Sequence, residues 1–280
     1  MIFQEDGQYI ILKDFNIPEM LSMRLMTVRL TCAAAMSILL AVSTNVGAEK
    51  PAAFSRAAVG EHTPYRVGEV LEYSVSWSGF LTAATMTAQV RKRGIFDGFD
   101  CYHAIMQAQT AGLANVLYKA SSKYESYVDA DSLLPHRAQN ILQQPKRVKK
   151  RNYRLEPEKS RAFLQDGRTI PIPSSTYDVA SLFYTIRCME PALKKPAKFT
   201  LIENDKLQKL VAEVEGFENI KTDAGSFKAA RIAVKFENDG VVSDSRKLRL
   251  YLSDDSNRYP VLITVDLPLG SIRIELVSAR

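Results

Sequence analysis

The sequence predicts a mainly β protein: an antiparallel curved sheet or open barrel-like meander, with one main amphipathic helix packed on its concave face. Three observations lead there. Short segments alternating apolar with polar residues recur along most of the chain after Gly68, which is the period of half-buried strands. Turn residues separate several of them, at Asp97-Gly98, Ala224-Gly225, Asn238-Asp239-Gly240 and Leu269-Gly270, a pattern of hairpins rather than of βαβ units. Finally, only Ser175 to Glu190 has convincing helical spacing, with Val179, Leu182, Phe183 and Ile186 on one face and Asp178, Thr185 and Arg187 elsewhere. Ser175 with Asp178 reads as a capping box and Pro191 as the stop. A lone helix among strands buries its stripe against the concave face or open end of a curved sheet.

In chain order, residues 1–22 read as an upstream extension from a mis-chosen start codon, with Met23 as the preferred initiator. Met23 to Ala48 has the parts of a secretory signal: Arg24 and Arg29, the apolar run Leu30 to Val42, and the small-residue site Val46-Gly47-Ala48. Its core is shorter than the ~20 residues that span a bilayer. The expected location is therefore the periplasm. Residues 49–64 read as an alanine-rich flexible leader and 65–280 as a single β-rich domain. Without the first 48 residues, the 37 basic and 31 acidic side chains of the chain fall to 34 and 27, a net charge of +7. In an exported protein that excess suits an anionic envelope component or lipid and says little about nucleic acid; a mixed solvated surface is the plainer reading.

Leu71, Tyr73, Val75 and Trp77 alternate with Val70, Glu72, Ser74 and Ser76 to give the first strand; Ala84, Met86, Ala88 and Val90 mark the second, and Tyr102, Ala104, Met106 and Ala108 the third. Small residues on those inward rows either line a cavity or let the helix pack closely. Leu113 to Lys119 fits a helical turn as well as a loop. Lys123 to Val128, Pro135 to Gln143 and Lys146 to Leu155 follow as strands. The last carries Arg147, Lys149, Lys150, Arg151 and Arg154, with charge on both faces, as at a sheet edge; the same five are the candidates for contact with an anionic partner. Past the helix the candidates are Phe199 to Ile202, Lys209 to Val214, Ala230 to Phe236, Leu248 to Leu252, Val261 to Leu267 and Ile272 to Leu276.

Constellations of chemistry are sparse. The three histidines, His62, His103 and His136, lack metal-ligand spacing, and no nucleophile elbow, zinc helix or phosphate loop is present. Asp254-Asp255 reads as a solvated turn. No metal and no cofactor is expected. Cys101 and Cys188 are expected to bridge in an oxidising compartment, tying the helix to the third strand; two buried thiols are the alternative.

Across most of the domain the chain resembles the bacterial exported family catalogued as domain of unknown function 3108. The resemblance rests on Gly68-Glu69-Val70-Leu71-Glu72-Tyr73-Ser74-Val75-Ser76-Trp77, on Tyr118-Lys119 with Glu125-Ser126-Tyr127-Val128-Asp129, and on Tyr177 to Tyr184. Thr222 to Phe227 and Tyr251 to Asp255 with Pro260-Val261 extend it. It implies a periplasmic, mostly antiparallel β protein, similar in look to β-rich envelope proteins such as the lipoprotein carriers. It implies no activity, and no catalytic residue is carried over.

The functional expectation is a noncatalytic protein of envelope assembly or maintenance, holding a lipidic or amphipathic ligand between sheet and helix, with Trp77, Asp178, Phe183, Tyr184 and Arg187 as ligand-binding candidates. An envelope hydrolase or polysaccharide-modifying enzyme, built first around Asp178, Tyr184 and Arg187, is the alternative, and a structural interaction module with an envelope protein partner is the third reading.

Overall fold

The computed structural model describes residues 64–280 apart from 79–80, 192–194, 239 and 268–269, together with a short ladder between Gln4–Glu5 and Gln8–Tyr9. The signal, most of the leader and Cys32 lie outside the described residues. Fifteen strands form one sheet. In chain order they are β1 (Val70–Trp77), β2 (Leu81–Phe96), β3 (Phe99–Thr110), β4 (Ser121–Asp129), β5 (Pro135–Gln144), β6 (Arg147–Glu156), β7 (Arg161–Leu164) and β8 (Thr169–Pro171). There follow β9 (Thr176–Tyr177), β10 (Ala197–Glu203), β11 (Lys206–Thr222), β12 (Gly225–Asn238), β13 (Val241–Ser253), β14 (Pro260–Leu267) and β15 (Gly270–Ala279). A short helix, α1 (Gly112–Leu117), leaves β3, and α2 (Val179–Thr185) follows β9 and tightens into a 3-10 turn over Ile186–Cys188.

The spatial order is β8-β7-β6-β5-β4-β3-β2-β1-β15-β14-β13-β12-β11-β10-β9. Every pairing is antiparallel except β9 with β10. The first and last strands thus meet in the middle of the sheet, and its two edges are consecutive in the chain. Laid flat, fifteen strands would measure about 70 Å across. Only residues 172–175 join β8 to β9, and so few residues reach no further than about 18 Å. The sheet must curl. Register shifts at Val90/Lys92, Val214/Gly216 and Val234/Phe236 supply bulges that bend it. The sheet stays open, yet a small core built from Ala138, Tyr153, Leu155, Ala162, Leu164 and Ile172 on one side and Ile202 of β10 on the other shows its two ends in contact.

The main core fills the concavity. Leu71, Tyr73, Val75, Met86, Ala88, Val90, Tyr102, Ala104 and Val128 point inward and meet Val179, Ala180, Phe183, Tyr184 and Ile186 of the α2 segment. The small inward residues of β2 and β3 are thus close-packing positions under a helix. At the β15 start, Gly270 has φ +134°, and a Cβ there would lie 2.9 Å from the Trp77 ring. Only glycine lets the two strand ends approach so closely.

Three expectations need correction. The helix is shorter than Ser175 to Glu190, because Thr176–Tyr177 is a strand and the cap falls on Asp178, whose capping-box partner is Ser181 rather than Ser175. Cys101 and Cys188 are free and buried. The reason is parity: Tyr102, Ala104 and Met106 face the helix, so Cys101, one residue out of phase, does not join the main core in which Cys188 sits. Lastly, β6 is not the outermost strand, although β7 pairs only with Tyr153 to Glu156 and leaves Arg147 to Asn152 bonded to β5 alone.

Candidate functional site

Of the five ligand-binding candidates, Asp178, Phe183, Tyr184 and Arg187 lie on the helix segment and are packed or bonded there, although the Tyr184 hydroxyl is buried without a hydrogen-bond partner among the described residues. The Asp178 carboxylate accepts hydrogen bonds from Ala180 N at 2.9 Å, Ser126 Oγ at 2.6 Å and Ser181 Oγ at 2.7 Å; burial raises its pKa and these bonds oppose the rise. Arg187 is fully buried and donates to both Glu69 oxygens at 2.6 and 3.0 Å, and also to the carbonyls of Asn257 at 2.8 Å and Arg258 at 3.2 Å. Phe183 meets Tyr73 edge-on and Tyr184 stacks on Tyr65. Trp77 lies apart, at the end of β1 against Gly270. This group locks the helix to the amino-terminal strand and to the turn before β14. In that turn, Asp255 Oδ1 accepts from Asn257 N and Arg258 N, which fixes the loop backbone.

A different cluster gathers several unsatisfied polar groups around one cavity. Tyr124 of β4, Asn140 of β5 and Arg151 of β6 are direct cross-strand neighbours, with Lys149 one inward position along beside Leu142. Over this row lies the β10–β11 turn. Its two residues, Asn204 and Asp205, both have positive φ, +50° and +63°, as a tight two-residue hairpin of this hand requires. Arg151 Nε donates to Asp205 Oδ2 at 3.1 Å, and Asp205 N donates to the Tyr153 hydroxyl at 3.2 Å. These two bonds hold the turn down and bring Glu203 into the interior, where Tyr124 donates to its Oε1 at 3.4 Å.

Tyr124, Asn140, Lys149, Arg151, Glu203 and Asn204 line a cavity of about 30 Å³, enough for one or two water-sized groups. Glu203 Oε2 and both side-chain atoms of Asn140 are buried without a hydrogen-bond partner among the described residues, a costly state unless something else pairs them. Burial pushes the Glu203 carboxyl up to about 8 against the weaker pull of Tyr124 and Arg151, so near neutrality it is largely an acid with a proton to donate. Burial, then Arg147 and Arg151, lower the pKa of Lys149, and Lys149 makes no ion pair among the described residues. The cavity therefore offers hydrogen-bond donors from a carboxylic acid, an amide and an ammonium group. It suits an oxygen-rich or anionic head.

Of the basic strand, Lys149 and Arg151 belong to this site, while Arg147, Lys150 and Arg154 are exposed. Two wider grooves of about 440 and 410 Å³ cross strands β2 to β7. In the second, Gln139 donates to Asn152, Asn152 to Gln165, and Arg137 pairs with Asp97, so much of its polar lining is already satisfied. His103 stacks on Tyr127, and burial lowers its pKa. Tyr124, Asn140 and Glu203 escaped the sequence reading; the available signal was Glu203 itself, a lone acid in phase with Phe199 and Leu201 just before Asn204-Asp205.

A family model described as Protein of unknown function (DUF3108) matches residues 72–277. No curated protein matches the chain. Among solved structures, a β-barrel-like protein of domain of unknown function DUF1849 from Brucella abortus is similar, with 14% identity and a TM-score of 0.53 over 76% of this chain and 97% of that one. A DUF1089 family protein from Pseudomonas aeruginosa has 13% identity and a TM-score of 0.37, covering 69% of this chain and 95% of its own. The first likeness supports the barrel-like fold alone.

Proposed function

The chain belongs to the DUF3108 family, and on that premise we propose that it is a noncatalytic binding protein of the bacterial cell envelope that seats the polar head of a small envelope molecule in the Glu203 cavity. The observation that carries this reading is the buried, unpartnered Glu203 Oε2 beside the unpartnered Asn140 amide. Lys149 and Arg151 add the charge that would favour an anionic head. The signal-like segment Met23 to Ala48 supports export to the periplasm. No helix among the described residues is long and apolar enough to cross a membrane. The lipidic ligand expected between sheet and helix finds its nearest walls, Phe183, Tyr184 and Arg187, engaged with other side chains, which moves the ligand proposal to the strand β10 end.

Native mass spectrometry of the protein isolated from its host tests this. A retained small molecule that is lost on Asn140→Leu and on Lys149→Met supports the reading; a protein that carries nothing in any preparation, or a ligand that both variants keep, refutes it. An enzymatic reading has one observation in its favour, since a buried acid titrating near neutrality beside a tyrosine hydroxyl is how general acids are made. Turnover of an envelope ester or glycan that Glu203→Gln abolishes would establish that reading instead.

A further inference from the structure

The strands end in two rims. One bears α1 and the turns β5–β6, β10–β11 and β12–β13; the other bears the turns β2–β3, β4–β5 and β11–β12 and the loop before β14. On the first rim α1 buries only Ala114 and turns its larger residues to water: Leu113 is 62% exposed, Val116 81% and Leu117 36%. Because β3, β4, β5 and β6 are consecutive neighbours, the β5–β6 turn stands close to α1. It presents Lys146 and Arg147 with Val148, which is 65% exposed. Lys119, at the exit of α1, is exposed as well. Neither these three cations nor Lys150 forms an ion pair among the described residues. The other rim differs. There Asp97 pairs with Arg137, Asp100 with Arg93 and Asp254 with Lys228, so most of its charged turns carry their own counter-ions, although Ile95 is 76% exposed there and Lys221 beside the β11–β12 turn is exposed with no ion pair among the described residues.

Apolar side chains in water beside unpaired cations are the two halves of interfacial membrane binding: the first enter the boundary between headgroups and acyl chains, and the second lie against lipid phosphates. We propose that this rim docks on an anionic lipid bilayer, with Leu113, Val116 and Leu117 as the inserted residues and Lys119, Lys146 and Arg147 as the headgroup contacts. The unpaired positive charge selects a lipid surface over a second copy of the chain, whose corresponding rim would repel it. The β10–β11 turn that carries Glu203 into its cavity lies on the same rim, so docking brings the cavity to the bilayer face. The inference stands on exposure and charge at the rim, independently of what the cavity holds.

A depth-sensitive probe tests it on the full chain. Val116→Cys on a Cys32→Ser background leaves one accessible thiol, since Cys101 and Cys188 are buried, and it takes an environment-sensitive nitrobenzoxadiazole label. With vesicles of phosphatidylcholine and phosphatidylglycerol its emission shifts to the blue and gains intensity; with phosphatidylcholine alone it does not. The same label at Ile95→Cys, on the opposite rim, stays aqueous. Lys146→Glu with Arg147→Glu weakens vesicle affinity of the labelled protein by roughly tenfold or more, and salt has the same sense of effect. An aqueous spectrum at position 116 on anionic vesicles, an equal shift at position 95, an equal shift on neutral vesicles, or indifference to charge reversal each overturns the proposal. All the altered surface residues are exposed, and an unchanged far-ultraviolet circular dichroism spectrum verifies that the variants fold.

Discussion

Glu203 and Arg187 show two ways a buried charge can be handled. Glu203 has no cation bonded to it among the described residues, and burial raises its pKa to about 8. In the unfolded chain the same group titrates near 4.5, and the folded form therefore holds a proton that the unfolded form has released. Its contribution is fully present below pH 4.5 and is lost as pH rises through about 8. Glu203→Gln keeps the shape without the titration. Thermal melts of wild type and variant should show the variant gaining on the wild type between pH 5 and pH 8; parallel melting temperatures across that window would contradict the assigned burial. Arg187, by contrast, has Glu69 and two carbonyls. Arg187→Ala strands the Glu69 carboxylate in the interior and should cost about 3–5 kcal/mol in denaturant unfolding, most of which Glu69→Leu with Arg187→Met should restore. The sequence showed Arg187 as a polar margin of the helix stripe, because periodicity assigns a face but not a partner. Glu69 lies 118 positions away. The same blindness hid the cavity: Tyr124, Asn140 and Glu203 are each ordinary in their own strand and become a site only through a fold-back that no local pattern encodes.

At the level of elements, strands β1, β4 and β5 were legible almost residue by residue, since each alternates a better-buried face with a more exposed one, whereas β3 is buried on both faces from Cys101 to Met106 and the first half of β6 buries neither. The long hairpin β11–β12 was legible only in its buried half. Beyond Val214 and the bulge at Gly216 the residues of β11 alternate between exposed and half-buried, and apolar alternation weakens there. The start of α2 was misplaced because Ser175 and Asp178 both resemble caps, and Thr176–Tyr177 instead joins β10 by a parallel pairing that a two-residue strand cannot announce. Asp178 is the true cap and also the acceptor from Ser126 of β4. Asp178→Ala should therefore lower stability by about 1–2 kcal/mol through the cap alone, with a further loss from the orphaned serine, read as a fall in unfolding midpoint. Cys101 and Cys188 make the complementary point. Burial pushes their thiols up to about 11 and about 12, so alkylation of the folded protein should be slow, and reductant should leave the melting temperature unchanged; a drop on reduction would show a bridge.

At the scale of the whole molecule, the ends of the sheet are joined by the Ile202 cluster, the bonds of Asp205 to Arg151 and Tyr153, the Tyr124–Glu203 and Ser126–Asp178 bonds and the link 172–175. Ile202 is completely buried. Ile202→Ala should cost about 2–4 kcal/mol, and the loss should be local: hydrogen exchange should quicken in β5 to β8 and β10 before it does in β1 and β15, whereas uniform quickening would mean that the sheet opens as one unit.

The pairing of β1 with β15, from Leu71 with Ala279 to Trp77 with Ile272, sets an order on the making of the protein. A ribosome or a secretion pore delivers a chain from one end, so the first strand to arrive waits for the last. Until Gly270–Ala279 emerges, the strip exists as two runs of strands joined only at their far ends through residues 172–175, each with a raw edge at what will become its middle. Deleting Gly270–Ala279 should therefore leave β1 and β14 with raw edges and make the remaining strands prone to aggregation, read as loss of soluble protein on expression.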